Sequence, residues 1–229
     1  MVDDRYRGGG YAADNPDWHL ADAPHKARAV ARLVARVGLQ PRRVVDVGCG
    51  AGGVASHLAD AWPRAEVSGW DIAPAAIGRA RSSGGRARFH VGDPLRSAVT
   101  ADLVLCLDVA EHVPDDVGLL RDLAFIAPIA VVRLPLDLSA LDVLRPERLL
   151  AARRRYGHLH AYTRALALAR LAEAGWALRQ AELERVPPTL LRTRSRISDG
   201  VRRAAFRVAP ELTVDLLGGW SLLAVVDRA

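Results

Sequence analysis

The chain has little of several things. Of its 229 residues, one is lysine (Lys26), one is methionine, two are cysteine and 5% are aromatic. Cys49 and Cys106 have no metal-ligand spacing and no further cysteines beside them, which argues against a disulfide framework or a zinc ribbon. No apolar run reaches the ~18–20 residues needed to cross a bilayer. The opening stretch, MVDDRYRGGGY, lacks the apolar core of a secretory signal. A cytoplasmic protein without a membrane partner is expected. The basic insert at about 187–219 lacks aromatic interleaving of the kind that stacks bases, and nucleic acid is not expected as a partner.

What is present is a chain that is 50% hydrophobic, enough to fold around a core. Its net charge is +6 and its isoelectric point about 10.1. Because arginine supplies almost all the basic charge in an alanine-rich chain, coding bias accounts for the basicity as well as an acidic partner would. Residues 1–40 read as an N-terminal arm and helix that could form a lid. In that helix Asp22 can cap, Pro24 suits the first turn and Gly38 ends it, while Val30, Leu33, Val34 and Val37 share a face. From 41 to 229, nearly continuous apolar strands alternate with helices, which predicts an α/β fold with a mostly parallel sheet covered on both faces. Helices are expected over 53–61, 74–81, 115–126 and 163–174, and the last two strands can pair antiparallel. Between those strands, at about 187–219, lies a helical insert. Asp199 could cap it, Val201, Ala204, Ala205 and Val208 would form its apolar face, and Arg202, Arg203 and Arg207 would point elsewhere. It reads either as a solvated helix or as a lid or dimer contact.

The stretch VVDVGCGAGG, residues 44–53, carries the chemistry. Glycines after a parallel strand turn the chain sharply and let a ligand approach the backbone. Gly48, Gly50 and Gly53 satisfy G-x-G-x-x-G, a pattern shared with NAD and FAD sites. Asp46 tips the choice, because a carboxylate beside the loop repels a pyrophosphate and attracts a cation. S-adenosyl-L-methionine carries both an ammonium and a sulfonium. Asp71 ends the next strand, where a carboxylate can accept ribose hydroxyls, and Asp93 in HVGD ends the third, within reach of an adenine amine. Each acid also has a plainer reading: Asp46 and Asp71 as helix caps, Asp93 with Pro94 as a turn pair.

Together VVDVGCGAGG, WDIAP, HVGD, LCLDVAEHVPDD and GHLHAYTRALALARLAEAGW, spanning about 44–176, resemble the class I (Rossmann-like) S-adenosylmethionine-dependent methyltransferases, in their small-molecule branch. The resemblance implies a seven-stranded sheet whose last strand is antiparallel. It implies cofactor contacts at Asp46, Gly48, Gly50, Asp71, Ile72 and Asp93 and near Leu107, with Cys49, Gly92 and Pro94 in the same loops. The arm adds Tyr11, Trp18 and His19 as a lid over the cofactor, and Lys26 as a partner for its carboxylate. His112, just past the fourth strand, is the candidate general base. Glu111 beside it could orient the ring, and His158 and His160 with Tyr156 and Tyr162 form a second polar cluster. His57 and His90 read as bystanders. No metal is expected, since Asp108 has no clear second ligand.

The acceptor is expected to be a small molecule methylated on oxygen, with nitrogen or carbon left open, in secondary metabolism. The arginines at 153–155 and in the insert suit an acidic or phosphorylated one. The D/N-P-P-aromatic stretch of amino-methylating nucleic-acid enzymes is absent after the fourth strand, and Cys106 lies inside a strand rather than in a loop where it could act as nucleophile. The rival readings are a non-catalytic S-adenosylmethionine binder, an RNA methyltransferase and a nicotinamide dehydrogenase. A monomer or homodimer is expected.

Overall fold

The computed structural model describes residues 10, 11, 15, 17, 18, 20–185 and 196–229. His19, most of the arm and the first part of the insert lie outside the described residues.

Seven strands form one sheet in the order β3-β2-β1-β4-β5-β7-β6. They are β1 (Arg43–Val47), β2 (Glu66–Asp71), β3 (Arg88–Val91), β4 (Leu103–Leu107), β5 (Ile129–Pro135), β6 (Trp176–Arg185) and β7 (Trp220–Arg228). β1 to β5 pair in parallel, and β7 runs antiparallel to both β5 and β6. The alternation of side chains along each strand sorts the core into two layers. Val44, Leu103, Leu105, Val131 and Leu223 face α1 (Ala23–Arg36), α2 (Gly53–Ala61) and α3 (Pro74–Ser82). Val45, Val104, Cys106, Val132 and Leu222 face α4 (Asp116–Asp122), α7 (Arg164–Glu173) and α9 (Pro210–Leu217). This is a Rossmann-like arrangement. Chain order reverses between β1 and β4, and such a switch point opens a crevice beyond the carboxyl ends of the strands.

α1 buries Ala27, Val30, Leu33 and Val34, so it belongs to the helical layer of the sheet. α7 begins where Thr163 accepts a hydrogen bond from the Leu166 amide at 3.1 Å. The helix expected over 115–126 is shorter. Asp115 caps it through the Gly118 amide at 2.7 Å, α4 stops at Asp122, and a 3-10 turn (Leu123–Phe125) brings the Ile126 carbonyl to the Ala101 amide. Two helices without a sequence signal follow β5: α5 (Ala140–Leu144) and α6 (Glu147–Arg155). They bury little apolar surface, so no periodicity announces them.

The insert differs from expectation. α8 spans Arg196–Val208, so Asp199 lies within the helix and not at its start. The expected apolar face is turned outward, with Val201 and Val208 exposed, while Arg202 is buried and donates to the Gly218 carbonyl at 2.7 Å. Phe206 sets the register instead. Its ring stacks on Trp220 at 5.1 Å, and burying two aromatics outweighs burying two valines.

Candidate active site

Every described residue singled out above for the cofactor, together with Glu111, His112 and His158, lines one cavity of about 950 Å³. It sits at the switch point, walled by the glycine loop, the ends of β2, β3, β4 and β5, the start of α1 and the end of α6.

The glycine loop forms the floor. Gly48, Gly50 and Gly52 all have positive φ, which side chains rarely adopt. A Cβ on Gly48 would lie 2.6 Å from Val109, so the loop needs glycine there to sit under the turn after β4. Gly53 serves packing, since a Cβ there would lie 2.6 Å from Ala23 of α1. Gly92 has open space where a side chain would project, and at Gly50 the nearest atom is on the Trp18 ring, 3.9 Å away, leaving backbone bare to a ligand.

Three acids surround this floor. Asp46 is almost fully buried at the end of β1, and burial, with Asp71 nearby, pushes its carboxyl up to about 7; Lys26 opposes the shift. Asp71 accepts from the amides of Gly50 at 2.9 Å and Ala73 at 2.8 Å; burial raises its pKa and these bonds partly offset the rise. Asp93 caps the turn Pro94–Ser97 through the Leu95 amide at 3.0 Å. The plainer reading of Asp93 thus also holds, whereas Asp71 positions loop backbone without capping α3, whose N-cap Ala73 makes no side-chain cap bond; both carboxylates face the cavity. Burial pushes the Cys49 thiol well up and the Cys106 thiol up too, so neither is a thiolate nucleophile.

The arm closes one side. The rings of Tyr11 and Trp18 lie 5.3 Å apart, and Trp18 reaches to 3.9 Å from the Cβ position of Gly50. Asn15, which the sequence reading missed, is buried and donates to the Arg155 carbonyl at 3.3 Å, tying the arm to the end of α6.

Lys26 lines the cavity, but its ammonium is held by Asp108 at 2.7 Å rather than left for an incoming carboxylate. Asp108, with positive φ, also pairs with Arg133, which binds Glu184 at 2.7 Å, and Glu184 lies 3.1 Å from His25. Burial raises the Asp108 carboxyl, but Arg133 and Lys26 overcome it and hold the pKa below the usual range. Asp108 thus carries two cations, Lys26 and Arg133. An arginine inside the apolar run IAVVRLPL was the available signal of this network, because a charge in a buried strand requires partners.

At the far end lies a second cluster. Glu111 is fully buried, and neither carboxyl oxygen has a hydrogen-bond partner among the described residues. Burial and Asp108 push its pKa up to about 8, against the pull of His158. His112 Nε2 lies 3.9 Å from Glu111 Oε1, and the His112 and His158 rings are 5.0 Å apart. His158 Nδ1 bonds Asp137 at 2.7 Å; burial disfavours the imidazolium, but Asp137 and Glu111 leave its pKa raised. The loop carrying His158 is pinned by the amides of Leu159 and His160 on the Glu111 carbonyl at 2.7 and 3.3 Å.

Other candidates fall away from the cavity. His160 bonds the Val113 carbonyl at 2.8 Å, buried Tyr162 donates to Asp116 at 2.9 Å, and His90 stacks on Trp70. His57 is exposed on α2. Among the described arginines Arg133 and Arg155 line the cavity, and Arg202, Arg203 and Arg207 of α8 do not.

The comparisons with known proteins agree with this geometry. A family model for a methyltransferase domain matches residues 21–181. Trans-aconitate 2-methyltransferase of Mycobacterium sp. (strain KMS) is 37% identical over 107 residues, 46% of this chain and 42% of the relative. The Streptomyces coelicolor protein of the same name is 40% identical over 88 residues, 34% of this chain and 29% of the relative. The chain therefore matches less than half the length of these curated relatives. Among solved structures, magnesium protoporphyrin IX methyltransferase from Synechocystis, with bound SAH, superposes with a TM-score of 0.61 at 20% identity, covering 90% of this chain and 83% of that one.

Proposed function

This chain belongs to the methyltransferase-domain family, and from that premise we propose that it transfers a methyl group from S-adenosyl-L-methionine to an oxygen of a small-molecule acceptor. The observation that carries the reading is Asp46: a carboxyl buried at the end of β1, with its pKa raised to about 7, beside glycine backbone open to a ligand. A cationic guest relieves that carboxyl, whereas a pyrophosphate would meet Asp46 and Asp71 together. Asp46 and the glycine loop hold the methionine end, Asp71 the ribose and Asp93 the adenine, with Trp18 and Tyr11 as cover.

Held by Asp46, Asp71 and the glycine loop, the donor would supply an electrophilic methyl carbon on a sulfonium, which would pass to the acceptor oxygen while the C–S bonding pair stays on sulfur. The protein aligns the acceptor and keeps water out, which is worth about 7–11 kcal/mol of barrier. His112 takes the acceptor proton, a contribution of about 10²–10⁴-fold. Glu111 and His158 set the ring.

The curated relatives are named for trans-aconitate, an organic acid, and Arg155 lines the cavity where an acidic acceptor could meet it. Arg202, Arg203 and Arg207 of α8 do not line the cavity and gain no such support. Salt-sensitive acceptor affinity supports an acidic acceptor, and a flat response removes it. A cytoplasmic monomer or homodimer is part of this reading; among the described residues no helix is long and apolar enough to cross a membrane.

The test is calorimetric titration with S-adenosylhomocysteine against NADH, followed by mass spectrometry of small-molecule extracts for products gaining one methyl. Binding of NADH alone rejects the reading, and binding of S-adenosylhomocysteine with no turnover of any acceptor favours a non-catalytic binder. His112→Ala should keep donor affinity and lose about 10²-fold or more in turnover.

A further inference from the structure

We propose that Glu111, His112 and His158 bind a divalent first-row transition-metal ion at the acceptor end of the cavity. The binding rests on these side chains alone; its part in catalysis rests on the methyltransferase reading above.

One ligand atom from each of the three lies within 4.8 Å of the others. That spacing closes onto a common ion with small side-chain movements, given ligand bonds of about 2.0–2.2 Å. The second, independent observation is Glu111 itself. Its side chain is fully buried and lines the cavity, yet both of its oxygens lack a hydrogen-bond partner among the described residues. A buried carboxyl without partners is costly in either protonation state, since the protonated form still has a donor with no acceptor. An ion satisfies it directly.

The surroundings are built as metal sites are. His158 bonds Asp137 through Nδ1 at 2.7 Å, which leaves Nε2 as its ligating atom. A carboxylate behind a ligating histidine fixes the ring and strengthens it as a donor. The Glu111 carbonyl accepts the amides of Leu159 and His160, so the loop bearing His158 is held against the segment bearing Glu111 and His112 before any ion arrives. Two imidazoles and one carboxylate suit zinc, manganese or iron better than calcium or magnesium, which prefer oxygen donors. Three protein ligands leave coordination positions open toward the cavity. An acceptor oxygen bound there would be polarised and would lose its proton more readily, so that with the ion bound the metal takes over the role that His112 has as base in the ion-free protein. The sequence gives no second ligand near Asp108 and so no sign of an ion; the cluster forms only when the loop at 158 folds onto the turn at 111.

The test uses chelator-stripped full-length protein titrated with Co(II), followed by visible absorption and calorimetry, with Zn(II) as competitor. One equivalent should bind, with d–d bands that zinc abolishes. Glu111→Gln and His158→Gln should each weaken binding by at least about tenfold, and Asp137→Asn by about 10–100-fold. His57→Gln, which alters an exposed histidine on α2, should change nothing. The proposal is overturned if no saturable equivalent binds, or if Glu111→Gln and His158→Gln leave affinity intact. S-adenosylhomocysteine titrated into the same samples checks that each variant is folded and separates the two claims. If it binds and cobalt does not, the ion fails while the methyltransferase reading stands; if cobalt binds and it does not, the reverse holds.

Discussion

Asp46 shows how one residue links the fold to the ligand. Its carboxyl has an ordinary pKa of 3.8 and a folded value of about 7. The folded state therefore holds the proton more tightly, and this group's contribution to stability falls as pH rises from about 4 to 7. A cationic ligand draws the other way, because it binds best when Asp46 is ionised. Affinity for S-adenosylhomocysteine, which keeps the ammonium, should rise between pH 6 and 8, and Asp46→Asn should bind more weakly with a flat profile. Calorimetry across that range decides it; an unchanged slope in the variant would place the titration elsewhere.

At the scale of elements, Arg133 is the joint. It sits on β5, pairs with Asp108 at the end of β4 and with Glu184 on β6, while Lys26 and His25 of α1 reach the same two acids. One buried guanidinium therefore fixes where three strands and a helix meet, directly behind the cavity. Among the described residues, Arg133→Met would leave Glu184 facing His25 alone, and Asp108 Lys26 alone. Unfolding in urea should show a loss of about 3–5 kcal/mol. Substituting Asp108, Glu184, Arg133 and Lys26 together by apolar residues should recover much of that loss, because it is the unpaired charge that costs.

For the whole molecule, the cavity is a seam. Its walls come from the arm, α1, the glycine loop, four strand ends and the loop at 158, so a bound ligand ties together segments far apart in the chain. Saturation at about one hundred times the dissociation constant adds about 2.7 kcal/mol of stability. Thermal unfolding should then shift upward by about 5–10 °C with S-adenosylhomocysteine, and NADH should produce no shift.

The sequence by itself determined the alternation of strands and helices, the glycine loop and the three acids at successive strand ends. These are local patterns: period-two burial, capping residues and turn chemistry act within a few positions, so they can be read along the chain. Thr163 at the start of α7 and Asp115 at the start of α4 are of this kind. Only the tertiary structure decided that α8 turns Val201 and Val208 outward, that Lys26 meets Asp108, that Asn15 ties the arm to Arg155, and that Glu111 is buried beside His158. Each of these joins residues whose pairing depends on how layers pack, or sets two burial energies against one another. Phe206 on Trp220 outweighs two valines only once β7 is in place, and no periodicity in the helix records that a strand will later supply the second ring.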